Sequence, residues 1–206
     1  SLRRGPAIRG YSSPAHAPWR PWPPHGPPLA PSSVPAARLQ ARRSLRTRGI
    51  DPAGHSALVV GCGGVGSAIA ASLAAAGVDR LALYDIDTAA CQRLAARLAH
   101  HYPALRVAPG QNDPAGFDVV VNATSLGMKA GDPMPMDVNR ISPDAFVGEV
   151  VLKAEITPFL AAVKARGCRY QVGTDMLFEQ IPAYLSWFGL PTTDAATLRR
   201  LARVAY

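Results

Sequence analysis

One junction constrains the fold more than anything else in these 206 residues. The apolar run Ala57-Leu58-Val59-Val60 passes directly into Gly61-Cys62-Gly63-Gly64-Val65-Gly66, and the stretch Ser67 to Ala76 that follows is rich in Ala and Leu. The run has strand length and follows the turn signal Asp51-Pro52-Ala53-Gly54. Ala and Leu favour helix, and Gly77 stands where such a helix would end in the left-handed region. Gly61, Gly63 and Gly66 have the spacing G-x-G-x-x-G. Alone that spacing is weak, but a strand before it, a helix after it and an acid about 20 residues on give it meaning. Gly61 would permit the tight turn, Gly63 the approach of backbone amides to a pyrophosphate, and Gly66 the close packing of helix on strand. The helix N-terminus would add N–H donors and partial positive charge. The competing reading is a glycine-rich turn that binds nothing.

The rest of the body repeats the pattern. Arg80 to Tyr84 reads as a second strand and Thr88 to His101 as a helix with Leu94 and Leu98 on one face. Phe117 to Val121 and Phe146 to Leu152 read as buried strands. Thr157 would cap a helix with Pro158 in its first turn and Gly167 past its end. Strands alternating with helices predict an α/β fold, a doubly wound, Rossmann-type parallel sheet. His100 and His101 read as a solvated helix end rather than a catalytic base.

Composition separates this body from what precedes it. Residues 1–50 hold nine Arg, ten Pro and no acid, whereas from Asp51 onward 13 basic residues face 14 acidic ones. The formal charge of +8 therefore belongs to a Pro/Arg-rich leader, expected to be disordered, and not to the dinucleotide-binding domain expected over residues 51–206. With no dense basic patch along the body, nucleic acid is not an expected partner. No apolar run is long enough to span a membrane, so none is expected there either. A transit peptide is disfavoured because the prolines forbid its amphipathic helix. A Pro-rich partner ligand, a solvated tail and a frame-shifted or truncated remnant of a GC-rich gene remain open. Cys62, Cys91 and Cys168 are too scattered for a disulfide framework or a metal site, which fits a reducing, cytoplasmic setting.

Asp85 ends the second strand, 24 residues after Gly61. A carboxylate there would accept hydrogen bonds from the adenosine ribose hydroxyls and repel a 2′-phosphate. The run Asp85-Ile86-Asp87-Thr88 supplies no arginine to receive that phosphate. NAD is therefore expected over NADP, while Asp87 also reads as a helix cap.

At Asn122-Ala123-Thr124-Ser125-Leu126-Gly127-Met128 the chain resembles the shikimate and quinate dehydrogenases. The likeness continues in Glu149-Val150-Val151, in Thr157-Pro158-Phe159-Leu160, and in Gly173-Thr174-Asp175-Met176-Leu177-Phe178-Glu179-Gln180. With the glycine loop these blocks keep the family's order and cover about residues 46–206, its C-terminal nucleotide-binding domain. The resemblance implies an oxidoreductase that interconverts a ring hydroxyl and a ketone with a nicotinamide cofactor. It implies that Gly61, Cys62, Gly63, Gly64 and Val65 hold the pyrophosphate, with Gly66 packing behind them. It places Asp85 where the family chooses between NAD and NADP. Asn122 and Thr124 would lie toward the nicotinamide, Val150 and Gly173 would border it, and Met176 would pack near it. Gln180 would bind a hydroxyl of a shikimate- or quinate-type substrate.

Two departures accompany the likeness. Leu152 stands where the family commonly has a substrate-contacting Tyr, and Lys153-Ala154 replaces an Asn-Pro-like pair. Pro182, close after Gln180, should kink the chain or start a new turn. The family's catalytic Lys and Asp lie in an N-terminal domain that nothing in residues 1–50 matches, and the first Lys of this chain is Lys129. No catalytic residue is therefore assigned, and the chain is expected to be inactive alone. Two further readings stay open: a stand-alone NAD-binding regulatory module or pseudoenzyme, and an interaction protein built around the leader.

Overall fold

The computed structural model of the chain describes residues 50–187 and 191–202. The expected disordered leader, apart from Ile50, lies outside these residues. The described chain forms six strands, β1 (Ser56–Val60), β2 (Arg80–Tyr84), β3 (Arg106–Pro109), β4 (Val119–Asn122), β5 (Phe146–Glu149) and β6 (Arg169–Gln171). Five α-helices accompany them: α1 (Gly64–Ala76), α2 (Thr88–His101), α3 (Pro158–Ala165), α4 (Gly173–Trp187) and α5 (Ala195–Leu201). All five strand pairs are parallel, in the order β3-β2-β1-β4-β5-β6. The doubly wound, Rossmann-type sheet is thus as expected.

The alternation of β1 explains why both faces must be covered. Ala57 and Val59 enter one core with Leu73 of α1, Leu94 and Leu98 of α2, and Leu81 and Leu83 of β2. Leu58 and Val60 enter a second core with Phe159, Leu160 and Val163 of α3, Val120 and Val147. Successive strand side chains point to opposite faces, so a strand apolar on both must be sandwiched. Ile50 is also buried, in the first core.

Local signals set the helix limits. Gly77 ends α1 at φ 93°, its N–H on the Ala74 carbonyl. Asp87 caps α2 by accepting from the Ala90 N–H, and Thr157 caps α3 by accepting from Leu160. Helix α1 starts at Gly64, three residues before the expected Ser67, so the end of the glycine loop is already its first turn. Strand β5 stops at Glu149 rather than Leu152, and β4 runs from Val119 to Asn122 rather than from Phe117 to Val121. The helix α4 continues through Pro182.

Register aligns the carboxyl ends of four strands. Val60 pairs with both Tyr84 and Asn122, and Asn122 pairs with Glu149. The residues that follow, Gly61, Asp85, Ala123 and Val150, therefore leave the sheet in one row. Strand order reverses between β1 and β4, where open α/β sheets form their crevice.

Candidate functional site

The glycine loop is shaped by contacts that only glycine allows at two of its positions. Gly61 turns at φ 106°, donates its N–H to the Tyr84 carbonyl at 2.7 Å, and would place a Cβ 2.7 Å from the Ala123 carbonyl oxygen. A Cβ at Gly66 would drive into the Gly61 carbonyl. Gly63 and Gly64 are different: a Cβ at either meets nothing within 4 Å. Their surroundings are open, and no side chain caps the N-terminus of α1 at Gly63. Open space in front of uncapped helix N–H groups suits a phosphate-bearing ligand. Val65 is half exposed beside it.

Asp85 closes this loop from β2. Its Oδ2 accepts the Cys62 N–H at 2.6 Å and its Oδ1 accepts the Asp87 N–H at 3.0 Å. A carboxylate has about four acceptor sites, so capacity for ligand hydroxyls remains. Ile86 next to it is 91 % exposed. Cys62 is held further by its carbonyl, which accepts from Ser67 Oγ at 3.0 Å.

Across the switch point the construction relies on buried polar side chains. Asn122 is fully buried; its Nδ2 donates to Glu149 Oε1 and to the Leu126 carbonyl, both at 3.0 Å. Its Oδ1 accepts from the Thr124 hydroxyl at 2.7 Å and from the Thr124 N–H at 3.1 Å. Thr124 Oγ1 in turn accepts the Leu126 N–H. Glu149, also buried, accepts from the Thr157 hydroxyl at 2.6 Å on its other oxygen. One carboxyl thus ties the end of β4 to the start of α3. Burial pushes the Glu149 carboxyl above its ordinary value, and the Thr157 and Asn122 hydrogen bonds pull it part of the way back.

Asn122 therefore has no amide group turned outward; it shapes the 123–127 loop. Val150 is half buried and donates its N–H to the Asn122 carbonyl at 3.3 Å. Gly173 opens α4 against the backbone of Val150 and Val151, where a Cβ would strike the Val151 carbonyl. Met176 follows in the same helix, half buried. Gln180 lies one turn further along α4, and its side chain is outside the described part. Leu126, Leu152 and Ile156 expose apolar surface. Glu149 and Thr157 were unremarkable in the sequence as site residues. Both stand in blocks that carry the family resemblance, and Thr157 also in a capping signal, but neither was assigned a site role.

Comparison with known proteins now bears on this geometry. The ThiF family model matches residues 53–101, which is β1 to α2. Shikimate dehydrogenase (NADP(+)) of Acidiphilium cryptum is 36 % identical over 163 residues, covering 77 % of this chain and 57 % of the relative. Over the region it shares with them, the chain is similar to shikimate and quinate dehydrogenases. It spans a little over half the length of the curated relatives it matches. Among solved structures, quinate dehydrogenase from Corynebacterium glutamicum in complex with NAD is 31 % identical with a TM-score of 0.69, covering 80 % of this chain and 60 % of that one. The 5-ketofructose reductase of Gluconobacter sp. strain CHM43 is 27 % identical with a TM-score of 0.68, covering 80 % and 61 %. Among the described residues no helix is long and apolar enough to cross a membrane.

Proposed function

We propose that the chain is the cofactor-binding half of a shikimate- or quinate-dehydrogenase-type oxidoreductase, and that it holds NAD in preference to NADP. One observation carries this reading: the open, uncapped start of α1 lies beside a carboxylate, Asp85, bonded directly to the loop. In the proposal Gly61 to Val65 hold the pyrophosphate, and Asp85 accepts from the adenosine ribose hydroxyls. Thr124, Val150, Gly173 and Met176 border the nicotinamide, with Asn122 holding the 123–127 loop in place. Gln180 orients a hydroxyl of an alicyclic acid. The bound cofactor would supply hydride transfer; the chain's own contribution is binding, orientation and exclusion of water.

The relatives named for NADP(+) weigh against the NAD preference, and the quinate dehydrogenase structure with NAD weighs for it. Charge supports NAD: a 2′-phosphate would meet the Asp85 carboxylate, and the next two residues, Ile86 and Asp87, are not arginine. Calorimetry should give a tighter dissociation constant for NAD. Asp85→Asn with Ile86→Arg keeps an acceptor for the Cys62 N–H while removing the charge, and should shift preference toward NADP by about tenfold or more. Equal or tighter NADP binding by the unchanged chain would overturn the assignment.

Oxidation of a hydroxyl also needs a group to take its proton. Glu149, the carboxyl at the end of β5, is buried and already bonded to Asn122 and Thr157. The 206-residue chain is accordingly expected to bind NAD in a reducing, cytoplasmic setting without oxidising shikimate or quinate alone. An assay following NADH formation checks this. Robust turnover by the chain alone would overturn the half-site reading. Turnover restored by adding the N-terminal domain of a relative would support it over a stand-alone NAD-binding module.

A further inference from the structure

Two cysteines that are 29 positions apart in sequence meet behind the glycine loop. Cys62 Sγ and Cys91 Sγ are 3.1 Å apart and both side chains are buried. Cys62 lies between the first two glycines of the motif, and Cys91 early in α2. The third cysteine, Cys168, sits in the other core, its thiol directed to the Ser142 carbonyl at 3.5 Å. A disulfide bond is about 2.05 Å long, so the pair is roughly 1 Å from bonding distance.

We propose that Cys62 and Cys91 form an oxidisable dithiol that joins the cofactor loop to α2 and lowers its affinity for a dinucleotide. The oxidant is a small hydroperoxide. One thiol sulfur, giving up its proton, attacks a peroxide oxygen; the S–O bond forms as the O–O bond breaks, and the leaving hydroxide takes that proton as one water, which leaves a sulfenic acid. The second thiol sulfur attacks the sulfenyl sulfur; the S–O bond breaks and hydroxide leaves with the thiol proton as a second water. Two thiols and one hydrogen peroxide thus become one disulfide and two waters. Cys62 is the more accessible of the pair at 6 % exposure against 2 %. Burial, then the Cys91 thiol and the carboxylates of Asp85 and Asp87, push the Cys62 thiol up, so Cys62 rests protonated and reacts slowly with the peroxide. A buried pair of this kind suits an occasional, reversible oxidation in a reducing compartment.

The effect on binding follows from how tightly Cys62 is already tied. Its N–H is on Asp85 and its carbonyl on Ser67, so a covalent pull on its side chain acts on the backbone between the ribose and pyrophosphate positions. Binding geometry at such a loop tolerates only about 0.5 Å. This consequence rests on the cofactor reading above, whereas the cross-link does not.

The test treats the purified, reduced chain with hydrogen peroxide, then alkylates it after denaturation and weighs it. The expected product has lost two hydrogens, keeps one alkylatable thiol, at Cys168, and yields a peptide joining Cys62 to Cys91. Its NAD dissociation constant should rise about tenfold and return on reduction. Cys91→Ala, outside the binding loop, should form no cross-link and keep its NAD affinity through the same treatment. Three alkylatable thiols, or oxidation of Cys62 without joining Cys91, would overturn the dithiol. A cross-linked chain with unchanged NAD affinity would overturn the effect on binding. If the reduced chain binds no NAD, the cofactor reading falls and the loss of affinity falls with it, while the cross-link still stands or falls on mass alone.

Discussion

Around Gly61 the backbone itself makes the site: a turn, a tight crossing under Gly66, and open space at Gly63 and Gly64. Around Glu149 the neighbouring strand ends are joined by side chains instead, through a buried carboxyl, a buried carboxamide and a threonine hydroxyl. The two regions flank the same crevice, yet they would fail in different ways. Where side chains are absent, adding atoms does the damage. Where a polar network is buried, removing one partner leaves the others unsatisfied, because each buried donor needs an acceptor.

The harshest way to test that contrast is Gly66→Val. Its Cβ meets the Gly61 carbonyl, a backbone atom that cannot swing aside, so the loss of stability should reach about 3 kcal/mol or more. A thermal melt indistinguishable from the unchanged chain would mean that the crossing is looser than described. Glu149→Leu comes next. It strands donors on Asn122 and Thr157 at about 1–3 kcal/mol each, partly offset by the leucine's apolar burial, for a net loss of about 2 kcal/mol. Urea denaturation reads this directly, and a neutral outcome would reduce the network to packing.

Glu149→Gln sharpens the same point through pH. A buried acid whose pKa is raised binds its proton more tightly in the folded chain than in the unfolded one. Its contribution to stability is therefore greatest in acid and falls as pH rises from the ordinary glutamate value through the raised one. The glutamine variant lacks that term. Relative to it, the unchanged chain should lose stability from acid to neutral pH, and a constant difference in denaturation free energy would contradict the assignment. The smallest structural effect belongs to Gly63→Val. With nothing within 4 Å of its Cβ and φ at −68°, stability should stay within about 0.5 kcal/mol. NAD binding should nonetheless weaken at least tenfold, because the valine would occupy the approach to the pyrophosphate. Unchanged calorimetry would remove this loop from the cofactor site.

The same contrast explains what the sequence disclosed. The glycine loop, the Gly77 stop, the Asp87 and Thr157 caps and strand β2 were legible because each depends on residues a few positions apart. Strands β3 and β6 were not: Arg106–Pro109 and Arg169–Gln171 lie at the two edges of the sheet, short and largely without an apolar alternation. The Asn122–Glu149 bond was hidden for another reason. Its partners lie 27 positions apart and meet only because β4 and β5 pair in register. The Cys62–Cys91 approach likewise depends on the first turn of the fold returning α2 to the loop, so cysteine spacing alone pointed away from it. At Asn122 the family resemblance placed the residue near the nicotinamide, whereas its hydrogen bonds run inward to the 123–127 loop and Glu149.

The burial of Ile50 bears on where the molecule can be shortened. Composition suggests cutting at Asp51, where the acid-free stretch ends, but Ile50 is 6 % exposed and packs into the first core. A chain trimmed to begin at Asp51 would carry a cavity in place of that side chain, at a cost of about 2–4 kcal/mol. Charge and sequence texture mark one border, and the described hydrophobic core already includes the residue before it. Anyone dividing this polypeptide for refolding or crystallisation should follow the core.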